Sequence, residues 1–236
     1  MTPRIAVLAG GLATRMLPLR REVPKSLMEV AGEPFIAHQL RLFRREGLTE
    51  AVLCVGHLGG MIQEFVGDGR AFGLKVTYSN DGQSPLGTGG ALLRALPLLG
   101  PEFLVIYGDS YLDISFGAVV QAFRSSRAPA MMTVFENRNR WDRSNVAFVD
   151  GRIVAYSKKP TPEMAHIDFG LQAVRVECFA GMTAGQTFDL ARLYSDLART
   201  GCLAGYEVYR RFYEIGSPRG FEEAEAYLLS QRDGQR

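Results

Sequence analysis

Short apolar runs alternate with longer amphipathic stretches through the first half of the chain, and the alternation predicts strand, helix, strand, helix. Residues 5–8 (IAVL) are apolar at every position, as in a central strand of a parallel sheet buried on both faces. Residues 34–47 (PFIAHQLRLFRREG) place Phe35, Ile36, Leu40 and Phe43 on one helical face; the stretch opens on a proline and stops at Gly47. AVLCVG reads as a second strand, MIQEFVGDG as a short helix and LKVTYS as a third strand. GTGGALLRALPLL reads as another helix, and EFLVIYGD as a fourth strand that ends in an acid. This order predicts an α/β fold with a mostly parallel central sheet, helices on both faces and ligands at the carboxyl ends of the strands.

The second half changes character. AMMTVFE and NVAFVDGRIVAYSKK contain alternating segments, and the latter folds about Asp150 and Gly151, a strong hairpin signal. HIDFGLQAVRV is a further strand, FDLARLYSDLARTG an amphipathic helix, and a last helix from about Pro218 leads into a polar tail, QRDGQR, expected to fray. No internal repeat or low-complexity linker intervenes. The expectation is a single domain over 1–236, its second half a mixed lobe that extends the sheet and closes over a ligand.

Composition narrows the class without naming a chemistry. The 236 residues are 47% hydrophobic and 22% charged, ordinary for a soluble globular protein, and suffice for one large core. A net charge of +2 gives no support to nucleic-acid binding or a basic membrane patch. The apolar runs are too short to span a bilayer, and the start, MTPRIAVLAGG, enters a strand without a signal-peptide pattern. Cys54, Cys178 and Cys202 are widely spaced, odd in number and without metal-ligand spacing, which fits a reducing, cytoplasmic setting. His38, His57 and His166 are likewise scattered.

Candidate chemistry begins directly after the first strand. Gly10 and Gly11 leave the backbone open, and Thr14, Arg15 and Lys25 add a hydroxyl and two cations, a combination suited to phosphate. Neither G-x-G-x-x-G nor the Walker A spacing is present. Gly87 to Gly90 sit at a helix start, where Thr88 is a candidate cap. Asp81 and Gln83 just upstream are weaker candidates for base contacts. Asp109 ends an apolar strand at the edge where the first strand delivers its loop, and Asp113 is expected to cap the helix after Ser115. Trp141 and its neighbouring aromatics are expected to pack the second lobe. Of the four lysines, Lys25, Lys158 and Lys159 fall beside these segments; the fourth is Lys75.

The string from Leu8 to Leu19, with Pro24-Lys25 and Val30, Gly32 and Pro34 after it, closely resembles the signature of the sugar-1-phosphate nucleotidyltransferases. That pattern is roughly LAGG-x-G-T-R-L-x-P-L-T, then PK, then V-x-G-x-P; here Ala13 replaces a glycine and Arg20 a threonine. The resemblance continues through PLGTGGAL, YGDS, KKP and FYEIGSP and covers essentially the whole chain, and the expectation is the short form, which lacks the left-handed β-helix that some relatives append. It implies the Rossmann-like nucleotide-diphospho-sugar transferase fold, with about 1–110 as the nucleotide-binding half and about 111–236 as the sugar-binding half. The implied substrates are a nucleoside triphosphate and a sugar 1-phosphate. Arg15 and Lys25 would be catalytic, and Leu8, Ala9, Gly10, Gly11, Leu12, Ala13, Thr14, Gly87 and Thr88 would line the nucleotide. Asp109 and Glu214, the latter where relatives carry aspartate, would hold Mg²⁺. On the sugar side the resemblance points to Asn145, Lys159, Asp168 and Gly170, and Lys158 stands where glutamate is common. WDRSNVAFVDGRIVAYSKK, HIDFGL and FYEIGSPRGF are most like the heptose-1-phosphate guanylyltransferase branch. Mannose 1-phosphate or N-acetylmuramate 1-phosphate, cytidylyl or uridylyl transfer to another phosphate, and a non-catalytic nucleotide-sugar sensor remain alternatives, and a homo-oligomer is compatible with the sequence.

Overall fold

The chain is described here by a computed structural model covering residues 2–11, 23–82 and 84–233. Its first half runs β1 (Arg4–Leu8), β2 (Glu29–Val30), β3 (Glu33–Pro34), α1 (Phe35–Arg45), β4 (Glu50–Val55), α2 (Gly59–Val66), β5 (Lys75–Asn80), α3 (Gly87–Leu99) and β6 (Glu102–Tyr107). Then follow β7 (Ser110–Tyr111), α4 (Phe116–Ser126), β8 (Ala130–Glu136), β9 (Val146–Val149), β10 (Arg152–Tyr156) and β11 (His166–Arg175). The chain closes with α5 (Leu190–Arg199), β12 (Leu203–Val208), β13 (Tyr213–Glu214) and α6 (Pro218–Asp233). Each apolar run read as a strand in the sequence is a strand, and each amphipathic stretch a helix.

Among the described residues the main sheet has the order β5-β4-β1-β6-β11-β8-β12-β10-β9. The first four strands are mutually parallel, which brings their carboxyl ends to one edge. From β11 onward the sheet is mixed: β11 runs antiparallel to both β6 and β8, and β12 runs parallel to β8. The β9–β10 hairpin turns at Asp150 and Gly151, with φ of 47° and 77°, the left-handed pair that matches strand twist.

Period-two alternation builds two cores from the same strands. Ile5, Val7, Leu53, Leu104 and Ile106 face one core with α1, α2, α4 and α6. Ala6, Val52, Phe103 and Val105 face the other, with α3 and α5. Helices therefore cover both faces, as the strand–helix alternation predicts. Among the described residues no helix is long and apolar enough to cross a membrane, and all three cysteines are free thiols.

One local expectation is corrected. The cap of α4 is Ser115, whose hydroxyl accepts from Ala118 N, not Asp113. Asp113 instead gathers the Arg45 and Arg210 guanidiniums and the Tyr227 hydroxyl, and these donors hold its carboxyl below the usual range against the opposing effect of burial. Of the tail expected to fray, residues 231–233 continue α6, and Arg232 donates to Ala31 O in the β2–β3 turn; residues 234–236 lie outside the described residues.

Candidate active site

Four loops leave the parallel edge side by side, and between them lies a cavity of about 350 Å³. Leu8 to Gly11 arrive from β1, Gly108 and Asp109 from β6, and Lys25 and Ser26 from the short helical turn that follows Pro24. Pro85, Gly87, Thr88 and Ala91 form the wall contributed by α3. Lys25 Nζ donates to Asp109 Oδ2 at 2.6 Å, so the cation and carboxylate singled out by the motif meet across 84 residues of chain. Ser26 beside them is 2% exposed, and its hydroxyl has no hydrogen-bond partner among the described residues.

The glycines that line this cavity divide into those with the chain against them and one with no described neighbour. A Cβ on Gly10 would stand 3.0 Å from Gly56 N, and one on Gly108 2.9 Å from Ala9 Cα, so these two let adjacent strand ends close up. On Gly11 a Cβ would meet nothing within 4 Å among the described residues. Among the described residues, Gly11 is therefore the cavity glycine whose backbone meets no neighbour. The reading of Gly87 to Gly90 needs correction: Gly89 and Gly90 are filled by the Phe188 ring and Gln186 O. Gly87 and Thr88 do line the cavity. Thr88 does not cap its own helix; its hydroxyl accepts from Leu190 N and donates to Asp189, tying α3 to the start of α5.

Asp109 is held by devices the sequence does not announce. Fully buried Gln39, on α1, donates to Tyr107 O at 3.0 Å and Ser110 O at 2.7 Å, clamping both sides of the Gly108-Asp109 turn. Strand β7 pairs antiparallel with β13, with Ser110 opposite Glu214, and Ile215 N donates to Asp109 O. That pairing brings the second motif carboxylate to the first. A Cβ on Gly216 would stand 2.5 Å from Glu214 Oε2, 2.6 Å from Lys25 Nζ and 3.5 Å from Asp109 Oδ2. Two carboxylates and an ammonium thus converge on one point that only glycine leaves free. Glu214 is steadied by Gly216 N and by the Ser217 hydroxyl at 2.6 Å. Gly216→Ala is expected to displace both charged ends, lowering turnover about tenfold or more with little change in thermal unfolding. Steady-state kinetics beside a melting curve check this.

A second cavity of about 680 Å³ adjoins the first, and Tyr107 and Asp109 line both. Asn145, Asp168 and Gly170 lie on its wall, as does Glu214. Asn145 Oδ1 accepts from Asp168 N at 2.9 Å, so one end of this amide stitches the lobe. Gly170, at φ 104°, sits where β11 loses register with β8, and its N–H donates to Asp168 Oδ1. Lys159 does not line the cavity; Lys158 does, paired with Asp189. Trp141 also reaches the wall, with the Arg211 guanidinium 3.6 Å over its ring, so it packs the lobe and borders the cavity together.

Burial pushes the Asp168 carboxyl up to about 6, against the Gly170, Gln172 and Tyr156 donors that favour its charged form. The folded protein therefore holds this proton more tightly than the unfolded chain. The Asp168 contribution to stability is expected to fall as pH rises from about 4 to about 6 and to stay low above that window. Asp168→Asn removes the titration. The stability difference between wild type and variant should change by about 1–3 kcal/mol across the window in denaturant titrations, in the variant's favour at the upper end.

Leu12, Ala13, Thr14 and Arg15 lie outside the described residues, as does Gln83. The remaining nucleotide-side candidates, Leu8, Ala9, Gly10, Gly11, Lys25, Gly87 and Thr88, converge on one cavity. Comparison with known proteins gives this arrangement a family. Residues 5–166 match the Nucleotidyl transferase family. The chain belongs to that family. It is 31% identical over 223 residues to the N-acetylmuramate alpha-1-phosphate uridylyltransferase of Neisseria meningitidis, covering 93% of this chain and 96% of the relative. It is 24% identical over 221 residues to the D-glycero-alpha-D-manno-heptose 1-phosphate guanylyltransferase of Campylobacter jejuni, covering 91% and 95%. The crystal structure of HddC from Yersinia pseudotuberculosis shares the fold at a TM-score of 0.82 and 19% identity, over 96% of this chain and 100% of that one. The protein is an enzyme of the sugar-1-phosphate nucleotidyltransferase type.

Proposed function

We propose that this nucleotidyltransferase holds a nucleoside triphosphate in the first cavity and a sugar 1-phosphate in the second, and joins them at Asp109. The observation that carries the reading is the shared wall: among the described residues Tyr107 and Asp109 are the two that line both cavities, so two ligands can meet there. An anionic oxygen of the sugar phosphate attacks the α-phosphorus in line. The bond from that phosphorus to the oxygen bridging to the β-phosphate breaks, and pyrophosphate leaves with the electron pair. The attacking oxygen is already ionised, so no general base is required.

The chain's part is positioning and charge. The open backbone at Gly11 admits the phosphates, Lys25 swings from Asp109 toward the leaving pyrophosphate, and Ser26 offers a hydroxyl alongside. Arg15 is assigned to the same phosphates from the family motif. Asp109 and Glu214 suit Mg²⁺: two hard carboxylates face one point kept clear by Gly216, and among the described residues no cluster of three or more protein ligands exists. Such an ion, when bound, would neutralise phosphate charge and take its remaining ligands from water and phosphate oxygens. On the sugar side Asp168 offers acceptors to hydroxyls, and Asn145 presents its amide to the cavity wall. Lys158 is the nearer cation for the sugar phosphate, with Lys159 beside it in sequence.

For the substrate pair we favour a guanosine triphosphate and a heptose 1-phosphate, supported by the guanylyltransferase-like segments and by the Campylobacter relative. Uridylyl transfer to N-acetylmuramate 1-phosphate is the second reading, favoured by the 31% identity to the Neisseria relative. Pyrophosphate release measured for four triphosphates against heptose, mannose, glucose and N-acetylmuramate 1-phosphates decides between them. The favoured reading expects the highest kcat/KM for the guanosine–heptose pair. Release with no pair at all contradicts the proposed reaction.

A further inference from the structure

The first cavity has a charged group that the transfer chemistry leaves unused. Asp81 follows β5, the edge strand, and is 8% exposed on the cavity wall with Cys54, Pro85, Gly87 and Ala91. These neighbours are small or apolar and form a slot suited to a flat ring. The strand order β5-β4-β1-β6 places Asp81 three strands from Asp109. At about 4.8 Å per step, that is roughly 14 Å from the phosphate end.

The Asp81 backbone is fixed on both sides. Its N–H donates to Val55 O at 2.9 Å, and its carbonyl accepts from Arg94 at 3.0 Å. Among the described residues its carboxylate is almost idle: one oxygen receives Leu86 N at 3.5 Å, a long contact. An ionised carboxylate can accept about four hydrogen bonds, and leaving it buried with one weak donor is unfavourable. Burial raises the Asp81 pKa above its ordinary value, against the Leu86 N–H and the Arg94 charge. A ligand that supplies donors would relieve this.

We infer that Asp81 selects guanine, accepting from the ring N1–H and the 2-amino group of a guanosine triphosphate. Guanine presents two adjacent donors that match the two oxygens of one carboxylate. Uracil and thymine present a single N3–H between two carbonyl oxygens, which a carboxylate repels. Adenine and cytosine place a ring acceptor beside their amino group. The assignment rests on the first cavity holding the nucleotide, and it adds the residue that reads the base.

Calorimetric binding and pyrophosphate release for GTP, UTP, inosine triphosphate and xanthosine triphosphate test it, with wild type and Asp81→Asn. Wild type should prefer GTP over UTP, and should lose about 10- to 100-fold on inosine triphosphate, which lacks the 2-amino group. Asp81→Asn is nearly isosteric and offers a donor as well as an acceptor, so its preference should invert toward xanthosine triphosphate, whose 2-position is a carbonyl. The inosine measurement needs no variant and stands even if Asp81→Asn fails to fold. Equal use of GTP and inosine triphosphate, or a wild-type preference for UTP, overturns the role of Asp81 and leaves the transfer reaction standing. Guanine-selective binding without pyrophosphate release supports Asp81 and contradicts the reaction.

Discussion

Asp109→Asn is expected to lower turnover by about 10²- to 10³-fold while the protein stays folded. The carboxylate lines both cavities and has Lys25 at 2.6 Å, so the substitution removes a charge at the junction where the two ligands would meet. Folding should be spared: the turn is held through backbone atoms, by Gln39 on Tyr107 O and Ser110 O and by Ile215 N on Asp109 O. Glu214→Gln is expected to cost about 10²-fold and to shift the magnesium concentration needed for half-maximal rate upward. Both carboxylates act at one point, so the double variant should lose less than the product of the single losses. Metal titrations of pyrophosphate release in the four proteins check this. Wild-type turnover and metal response in Glu214→Gln would return that residue to a support for the α6 start through Gly216 and Ser217.

Lys25→Met should separate two consequences of one contact. Without the ammonium the leaving pyrophosphate loses a counter-charge, and kcat/KM is expected to fall by about 10²-fold or more. In the same variant Asp109 no longer carries its own cation. Lys25 Nζ occupies the carboxylate oxygen that a metal would use, so an arriving ion must displace it. Removing Lys25 is therefore expected to tighten Mn²⁺ binding to the nucleotide-free protein by about tenfold or more, read by electron paramagnetic resonance. A structural role alone would lower activity without raising metal affinity. Unchanged kinetics in the folded variant would remove Lys25 from the reaction.

What was legible in the chain follows from what each signal encodes. The period-two and helical patterns of the first half are local, so the four parallel strands and their helices could be read with their order along the chain. Lys25, Asp109 and Glu214 stand in three separate motif segments, and the fold brings them to one point, Glu214 reaching Asp109 through the β7–β13 pairing. A glycine shows that a side chain is forbidden but not what forbids it. Gly89 and Gly90 looked open to a ligand, while Phe188 and Gln186 from a distant segment fill the space. The cap roles expected of Thr88 and Asp113 fail for a related reason, because short polar side chains near a helix start have local and distant partners alike. Gln39 carried no signal at all. It is one more residue in a helix buried from Phe35 to Leu40, and its importance comes from the β6 loop against which that helix packs.

The most direct test of the shared junction is phosphorus NMR of a reaction containing GTP, a heptose 1-phosphate and Mg²⁺, run with wild type and with Asp109→Asn. The expected wild-type result is one pyrophosphate formed for each new sugar–diphosphate linkage, with both signals suppressed together in the variant. Undiminished product from Asp109→Asn, or hydrolysis to nucleoside monophosphate without a sugar linkage, would contradict a transfer centred between the two cavities.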